Sequence, residues 1–164
     1  ALVAMDLPLV RVFDLANENL HHETDAGQFI TSVLGRIDPA TRELTYVSAG
    51  HPHGYVLDSH GEVRNTLEST GLPLAVISGV EYEAGPPVTL VPGDKVLLLT
   101  DGILEAESPA GEFFDEEGVL EVMRRTGELN AQETVDALMR AVERFGGGGR
   151  QDDDLTALVI RIVD

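Results

Sequence analysis

Aspartates stand at the ends of two predicted strands, where their carboxylates could bind a cation. Asp101 directly follows an apolar run at residues 95–100, and Asp153 and Asp154 directly precede another at residues 155–163. If these two strands are antiparallel neighbours, the end of one meets the start of the other, and the carboxylates converge at one edge of a sheet. Hard divalent cations such as Mg²⁺ and Mn²⁺ favour oxygen ligands of this type. The pattern therefore indicates a metal site at that edge.

The same aspartates also have an interpretation without any ligand. Asp101-Gly102 is a turn sequence, and the aspartate run at residues 152–154 suits a loop between a helix and a strand. Adjacent carboxylates are all ionised at neutral pH, so they need a counter-cation only if they are partly buried. Spacing alone leaves both interpretations open.

Several strands are predicted around these residues. The runs at residues 29–37, 43–49 and 54–57 are rich in β-branched and aromatic residues and are separated by turn sequences, which predicts a β-meander. A hairpin turn at residues 59–61 leads to another strand at residues 63–67, and residues 71–87 are predicted to be a loop before a strand at 88–91. The continuous apolar run at 95–100 is typical of a strand buried on both faces.

Helices are predicted at the start of the chain and in the stretch before its last strand. Residues 1–20 favour a helix, with Pro8 beginning or kinking a second one that runs towards His22. Helices are also predicted after Asp115. The clearest of them spans residues 131–145, where apolar side chains form one stripe. Asn130 and Glu133 predict a capping box at its start.

Composition limits the kind of protein. The 164 residues, 43% of them hydrophobic, fit a single domain covering residues 1–164. The net charge of -18 would repel a polyphosphate backbone, so a nucleic acid partner is not expected. The sequence has no cysteine, which favours a reducing, cytoplasmic location and excludes a thiol nucleophile. No apolar run approaches the roughly 20 residues that span a bilayer, so we expect no membrane insertion.

Six short motifs occur in an order that resembles one bacterial enzyme family. They are FxT at Phe29-Ile30-Thr31, AGH at Ala49-Gly50-His51, GxPLG at residues 71–75 with Ala75 in place of the last glycine, PGD at Pro92-Gly93-Asp94, TDGxxEA at residues 100–106, and DDxT at residues 153–156. In this order they make the chain similar to the SpoIIE/RsbU-like phosphatases, bacterial serine/threonine phosphatases of the PPM (protein phosphatase 2C-like) type. Each motif alone would be weak.

The resemblance implies a fold and a chemistry. The fold would be α+β, an αββα sandwich of two antiparallel sheets flanked by helices, with a binuclear Mn²⁺ or Mg²⁺ centre. Asp101 and Asp153 match the family's metal ligands, and Gly102 and Asp154 would lie beside the ions. A metal-activated water would attack the phosphorus of phosphoserine or phosphothreonine directly. No protein nucleophile is then expected, which agrees with the absence of cysteine.

One family motif has no counterpart in this chain. The DxSGHG segment, which supplies an Asp and a Gly carbonyl to the metals, precedes the helix that begins here at Ala1, and residues near Leu7 and Pro8 are fewer than the family pattern has. The resemblance therefore implies an N-terminally incomplete domain, roughly its C-terminal two-thirds. We expect this chain alone to bind metal weakly and to have little phosphatase activity.

Partners follow only from the resemblance. It implies a phosphorylated protein substrate, an anti-sigma-factor antagonist, and a sensor or receiver domain upstream in the parent chain. A competing hypothesis is a non-catalytic module that binds a partner without turning it over. A third is a structural or cation-buffering acidic domain, in which Asp101 and Asp153 would lie far apart.

Other candidate residues have simpler explanations. His51 could donate a proton but sits in a turn sequence, and His21 and His22 suit the negative end of a helix dipole. The glycines at residues 146–149, followed by Arg150, could hold a phosphate, although a flexible connector explains them as well. The acidic residues at 112–117 favour a helix N-terminus, and the helical segment 108–145 is expected to contact a protein substrate.

Overall fold

The computed structural model describes residues 7–25, 27–147 and 153–163. Its elements, in chain order, are α1 (Leu9–Glu23), β1 (Ser32–Asp38), β2 (Glu43–Ala49), β3 (Gly54–Leu57), β4 (Val63–Leu67), β5 (Val88–Thr89), β6 (Lys95–Leu99), α2 (Asp101–Leu104), α3 (Asp115–Arg125), α4 (Ala131–Phe145) and β7 (Ala157–Arg161). The chain divides into two compact units, residues 1–51 with 67–90 and residues 52–66 with 91–164. No helix among the described residues is long and apolar enough to cross a membrane.

The first unit contains a three-stranded antiparallel sheet in the order β1-β2-β5. β1 and β2 pair along their whole length, from Ser32 opposite Ala49 to Asp38 opposite Glu43. The apolar face of α1 contributes Leu9 and Phe13 to a core with alternate residues of β2. The Phe13 ring also meets Tyr82 edge to face, with ring centroids 5.4 Å apart. This packing holds α1 beside the loop that precedes β5.

The polar side of α1 binds the loop at residues 75–82. Asn17 is fully buried and bonds both Ala75 and Ile77, while the carboxylate of Glu18 accepts from the Gly79 N–H at 2.6 Å. In the last turn of the helix, His21 Nδ1 lies 2.9 Å from the Ala75 carbonyl oxygen. The loop therefore takes its backbone hydrogen bonds from helix side chains, since it has no strand to pair with.

The second unit contains a four-stranded sheet in the order β4-β3-β6-β7. Its core combines alternate residues of β3, β6 and β7 with the apolar stripes of α3 and α4, so both helices cover the same sheet face. The predicted capping box is confirmed, because the Asn130 side chain accepts from the Glu133 N–H and the Glu133 carboxylate accepts from the Asn130 N–H. The acidic first turn of α3 is confirmed as well.

The predicted β-meander is wrong in its third strand. β3 pairs with β6, in the sheet of the second unit, whereas β2 has β5 as its second neighbour. All four residues of β3 are buried, which suits a strand with neighbours on both edges. Turn sequences such as Gly50-His51-Pro52 indicate where a strand ends. They do not indicate which sheet the next strand joins, and Pro52 has no N–H for pairing.

Several element boundaries also differ from the prediction. β1 begins at Ser32, because the paired strand ends at Ala49 and the chain then turns at Gly50, whose φ is +63°. Ile30 instead forms an isolated bridge with Leu74. The last strand is shorter than residues 155–163, and the short helix α2 was not predicted. The second helix that Pro8 was predicted to begin is confirmed as α1, with Pro8 at its N-cap. The earlier part of the predicted helix, residues 1–6, lies outside the described part.

Candidate functional site

The ends of β6 and β7 meet, as the sequence predicts for antiparallel neighbours. Leu99, the last residue of β6, lies opposite Ala157, the first residue of β7. The pairing continues one step further, because the Thr100 N–H donates to the Thr156 carbonyl at 3.0 Å. Asp101 and Asp153 therefore lie on adjacent segments at one edge of the sheet.

Gly102 fixes how closely these segments approach. A Cβ atom on Gly102 would lie 2.6 Å from the Asp154 carbonyl oxygen and 3.4 Å from the Asp153 Cβ atom. The first distance is too short for any side chain, so the two backbones can pack this tightly only with glycine. Gly102 itself is buried in the first turn of α2.

The carboxylates at this edge are exposed to solvent, and one oxygen of each accepts a hydrogen bond from the backbone N–H of the next residue. Asp101 Oδ1 accepts from the Gly102 N–H at 3.0 Å, and Asp153 Oδ1 accepts from the Asp154 N–H at 2.7 Å. Asp154 is exposed too, with its carbonyl turned towards Gly102. Each bond orients its carboxylate, and the second oxygen of each group makes no hydrogen bond to the described residues.

This donor set fits one hydrated hard cation. Mg²⁺ is commonly bound by one or two carboxylates and keeps several waters, which two aspartates on adjacent segments can satisfy. No group of three or more His, Cys, Asp or Glu residues that could hold a metal ion occurs within residues 7–25, 27–147 and 153–163. Asp152, the first aspartate of the run, lies outside that part. A binuclear centre would require donors in addition to Asp101 and Asp153.

The other candidate residues lie in turns or at helix ends, where they have a structural role. His51 follows the left-handed Gly50, where a Cβ atom would lie 2.4 Å from the Pro73 ring, so AGH and GxPLG pack against each other. His21 contacts the Ala75 carbonyl oxygen as well as lying at the end of α1. Gly146 ends α4, and the remainder of the candidate phosphate loop, residues 148–150, lies outside the described part.

Sequence reasoning missed the use of the Thr100 hydroxyl. It accepts from the Thr156 N–H at 3.1 Å and lies 3.3 Å from the Asp154 carbonyl, to which it donates. A signal was present, since Thr100 precedes a helix-starting Asp-Gly pair, where threonine commonly caps a helix. Only the paired strands show that its partners lie on the other segment.

Comparison with known proteins finds one matching family and several related sequences. The family described as Stage II sporulation protein E (SpoIIE) matches residues 1–163. Protein IcfG of Synechocystis sp. is 28% identical over 137 residues, which cover 83% of this chain and 21% of that protein. Phosphoserine phosphatase RsbU of Bacillus subtilis is 27% identical over 149 residues, which cover 88% of this chain and 42% of that protein. The chain thus spans less than half of the length of either relative.

A solved structure supports the fold. The phosphatase domain of the cell fate determinant SpoIIE from Bacillus subtilis, presoaked with Mn, superposes with a TM-score of 0.64 at 22% identity, covering 98% of this chain and 69% of that one. The predicted α+β class, with two antiparallel sheets and helices, is confirmed. Because the family match extends over almost the entire sequence, the chain belongs to the SpoIIE family.

Proposed function

We propose that this chain is part of a metal-dependent phosphatase that hydrolyses phosphoserine or phosphothreonine on a regulatory protein. The observation that carries the proposal is the meeting of β6 and β7, which brings Asp101 and Asp153 onto adjacent segments. The relative named phosphoserine phosphatase RsbU supports the reaction class. The third hypothesis, a structural or cation-buffering acidic domain, expected the two aspartates to lie far apart, whereas they lie on adjacent segments.

The chain's own residues would bind the cation and hold its ligands in position. Asp101 and Asp153 supply anionic oxygen ligands, while Gly102 and the Asp154 backbone keep the two segments in contact. A bound Mn²⁺ or Mg²⁺ supplies Lewis-acid activation of water and neutralises charge on the phosphoryl group. The sequence contains no cysteine, so a thiolate nucleophile is not available to a competing mechanism.

The substrate and setting belong to the same proposal. By family resemblance the substrate is an anti-sigma-factor antagonist, and the parent chain carries a sensor or receiver domain upstream. The cysteine-free sequence favours the cytoplasm. Helices α3 and α4 lie in the sequence between the two aspartate segments, and we propose that their exposed surface contacts the protein substrate.

A second candidate function is a non-catalytic module that binds a phosphorylated partner without hydrolysing it. The observation in its favour is the small donor set, two aspartates without a third acidic or histidine ligand among the described residues. Weak cation binding without turnover would be its signature. The two candidates therefore make different predictions for the same protein.

Manganese titration tests the proposal on the 164-residue chain. We expect weak binding by calorimetry and Mn²⁺-induced NMR line broadening at Gly102 and Asp154, both lost in D101N and D153N. The matched control is D136N, which removes the same charge from an exposed position on α4. Among the described residues, the one hydrogen bond found for Asp136 is accepted from Gln132. At saturating Mn²⁺, slow phosphoserine-peptide hydrolysis that disappears in both site variants supports the phosphatase. Because little hydrolysis is expected without the DxSGHG segment, the same assay on a form extended upstream through that segment separates the two candidates. Binding without hydrolysis in the extended form supports the module, and indifference to Mn²⁺ in every form rejects the metal site.

A further inference from the structure

We propose that Thr100 is a positioning residue, whose hydroxyl ties the Asp101 segment to the Asp153 segment and so keeps both carboxylates within reach of one cation. The inference rests on the proposed function, because it concerns the same two aspartates. It adds a group that is not itself a ligand.

The first argument is the unusual use of an N-cap threonine. Thr100 occupies the N-cap position of α2, with extended backbone angles, and its side chain makes no capping bond to the helix. Threonine at this position normally accepts from a backbone N–H of the helix's first turn. Here the hydroxyl accepts from Thr156 and donates to Asp154, so the capping contribution is replaced by a bridge between two segments.

The second argument is the hydrogen bonding of the Asp153 segment. Among the described residues, Thr100 supplies every hydrogen bond that joins residues 153–156 to β6 or α2, two through its hydroxyl and one through its backbone N–H. The remaining bond of the segment, from the Asp154 N–H to Asp153 Oδ1, is internal. The hydroxyl therefore supplies the side-chain hydrogen bonds that hold this segment, in addition to the packing of Leu155 against the core.

The third argument is electrostatic. A link between the two segments has to join two stretches of chain that each carry an acidic side chain intended for a cation. A hydroxyl bonded to a backbone carbonyl and a backbone N–H does this without adding charge. It also leaves the second oxygen of each carboxylate available to a cation, whereas a basic side chain in this position would compete for it.

Three variants of the 164-residue chain test the role of Thr100. T100V removes the hydroxyl at nearly constant volume, and T100S retains it. T156V is the control, because it removes a neighbouring hydroxyl for which no hydrogen bond is found within the described residues. One hydrogen bond is worth roughly 1 kcal/mol, which corresponds to about a 5- to 10-fold change in an equilibrium constant. We expect T100V to accelerate hydrogen exchange of the Thr156 amide by about that factor, and to weaken Mn²⁺-induced broadening at Gly102 and Asp154 comparably. T100S and T156V should behave like the wild type.

The outcomes separate this inference from the proposed function. Normal Thr156 exchange and normal Mn²⁺ broadening in T100V would overturn the role of Thr100 alone, as would equal losses in T100V and T156V. Absence of broadening in the wild type would overturn the proposed function and, with it, the positioning of ligands by Thr100. Thermal unfolding of each variant shows whether it is folded, and recovery in T100S distinguishes the hydroxyl from a packing effect.

Discussion

The side-chain oxygen of Asn17 accepts a 2.8 Å hydrogen bond from the backbone N–H of Ala75, a residue held at a φ of +71°. That left-handed conformation is uncommon for any residue other than glycine, asparagine or aspartate. Asn17 is fully buried, and its amide nitrogen also donates to the Ile77 carbonyl at 2.9 Å. A helix side chain therefore stabilises a strained loop residue, at the position where the GxPLG motif has glycine.

Ala75→Gly should stabilise the protein. The left-handed conformation costs alanine roughly 1–2 kcal/mol, and glycine's greater freedom in the unfolded chain returns about 0.5–1 kcal/mol of that. Loss of the buried methyl group returns a further part, up to about 0.8 kcal/mol. We therefore expect a net gain of less than about 1 kcal/mol in the free energy of unfolding, measured by urea denaturation. The control is A84G, because Ala84 is exposed and does not have a positive φ. A loss in A75G equal to that in A84G would contradict the strain.

Asn17→Leu should destabilise the protein strongly. The substitution removes the partners of the Ala75 N–H and the Ile77 carbonyl at a fully buried position. The unpaired, buried Ala75 N–H costs about 1–3 kcal/mol. The carbonyl of Ile77, an exposed residue, can be hydrated instead, so the free energy of unfolding should fall by roughly 1–3 kcal/mol. Asn19→Ala is the matched control on the same helix, since exposed Asn19 bonds only to the Leu15 carbonyl within α1. Similar losses in both variants would refute the special role of Asn17.

Gly102→Ala should disturb the candidate metal site. Alanine is the better helix former by about 1 kcal/mol, so an uncrowded helical position would gain stability. At Gly102 the added Cβ would lie 2.6 Å from the Asp154 carbonyl, and relieving such overpacking typically costs about 1–3 kcal/mol. We therefore expect a lower unfolding temperature and weaker Mn²⁺ broadening at Asp154.

Gly146→Ala is the control for the Gly102 substitution. Its new Cβ atom would meet nothing closer than 3.6 Å, and its φ of -70° is acceptable to alanine. The unfolding temperature and the Mn²⁺ response should both remain near those of the wild type. An unchanged Mn²⁺ response in G102A as well would show that close approach of the two segments is not required.

Local signals in the sequence predicted most of the elements. The apolar stripe and the capping pair Asn130 and Glu133 determine α4, because both act within a few turns of one helix. The apolar run of β6 and the β-branched and aromatic residues of β2 likewise predict strands at nearly the observed bounds. The convergence of the segments that carry Asp101 and Asp153 followed from one further assumption, that β6 and β7 are neighbours.

Interactions between residues that are far apart in the sequence could not be predicted from local patterns. The pairing of β3 with β6 depends on which sheet has a free edge, and no local pattern reports that. Asn17 resembles any polar residue on a helix surface until the loop at Ala75, far away in sequence, is placed against it. The Thr100 bridge was hidden for the same reason, since its partners lie more than fifty residues further along the chain.

Lys95 is the only lysine in the sequence, and its side chain is almost completely buried. Its Nζ donates to the Thr126 carbonyl at 2.5 Å and to the Thr134 hydroxyl at 2.9 Å, which joins β6 to the connection between α3 and α4. Burial lowers the pKa of Lys95, Arg161 lowers it further, and Glu133 acts in the opposite direction. The folded protein therefore binds this proton less strongly than the unfolded chain does.

Lys95 should make stability increase with pH in the alkaline range. Between its lowered folded pKa and the ordinary value of 10.5, Lys95 binds its proton more strongly in the unfolded chain. Its contribution to the free energy of unfolding therefore rises with pH and levels off above that value. K95M should abolish this rise while keeping the fold. Its former partners retain other bonds, because Thr126 still accepts from Leu129 and Thr134 still donates to Asn130. Urea denaturation of both proteins at several pH values measures the difference in the free energy of unfolding. The buried tyrosines, whose pKa values burial raises, titrate in both proteins, so the difference isolates Lys95. A difference that is constant with pH would show that Lys95 is equally protonated in both states.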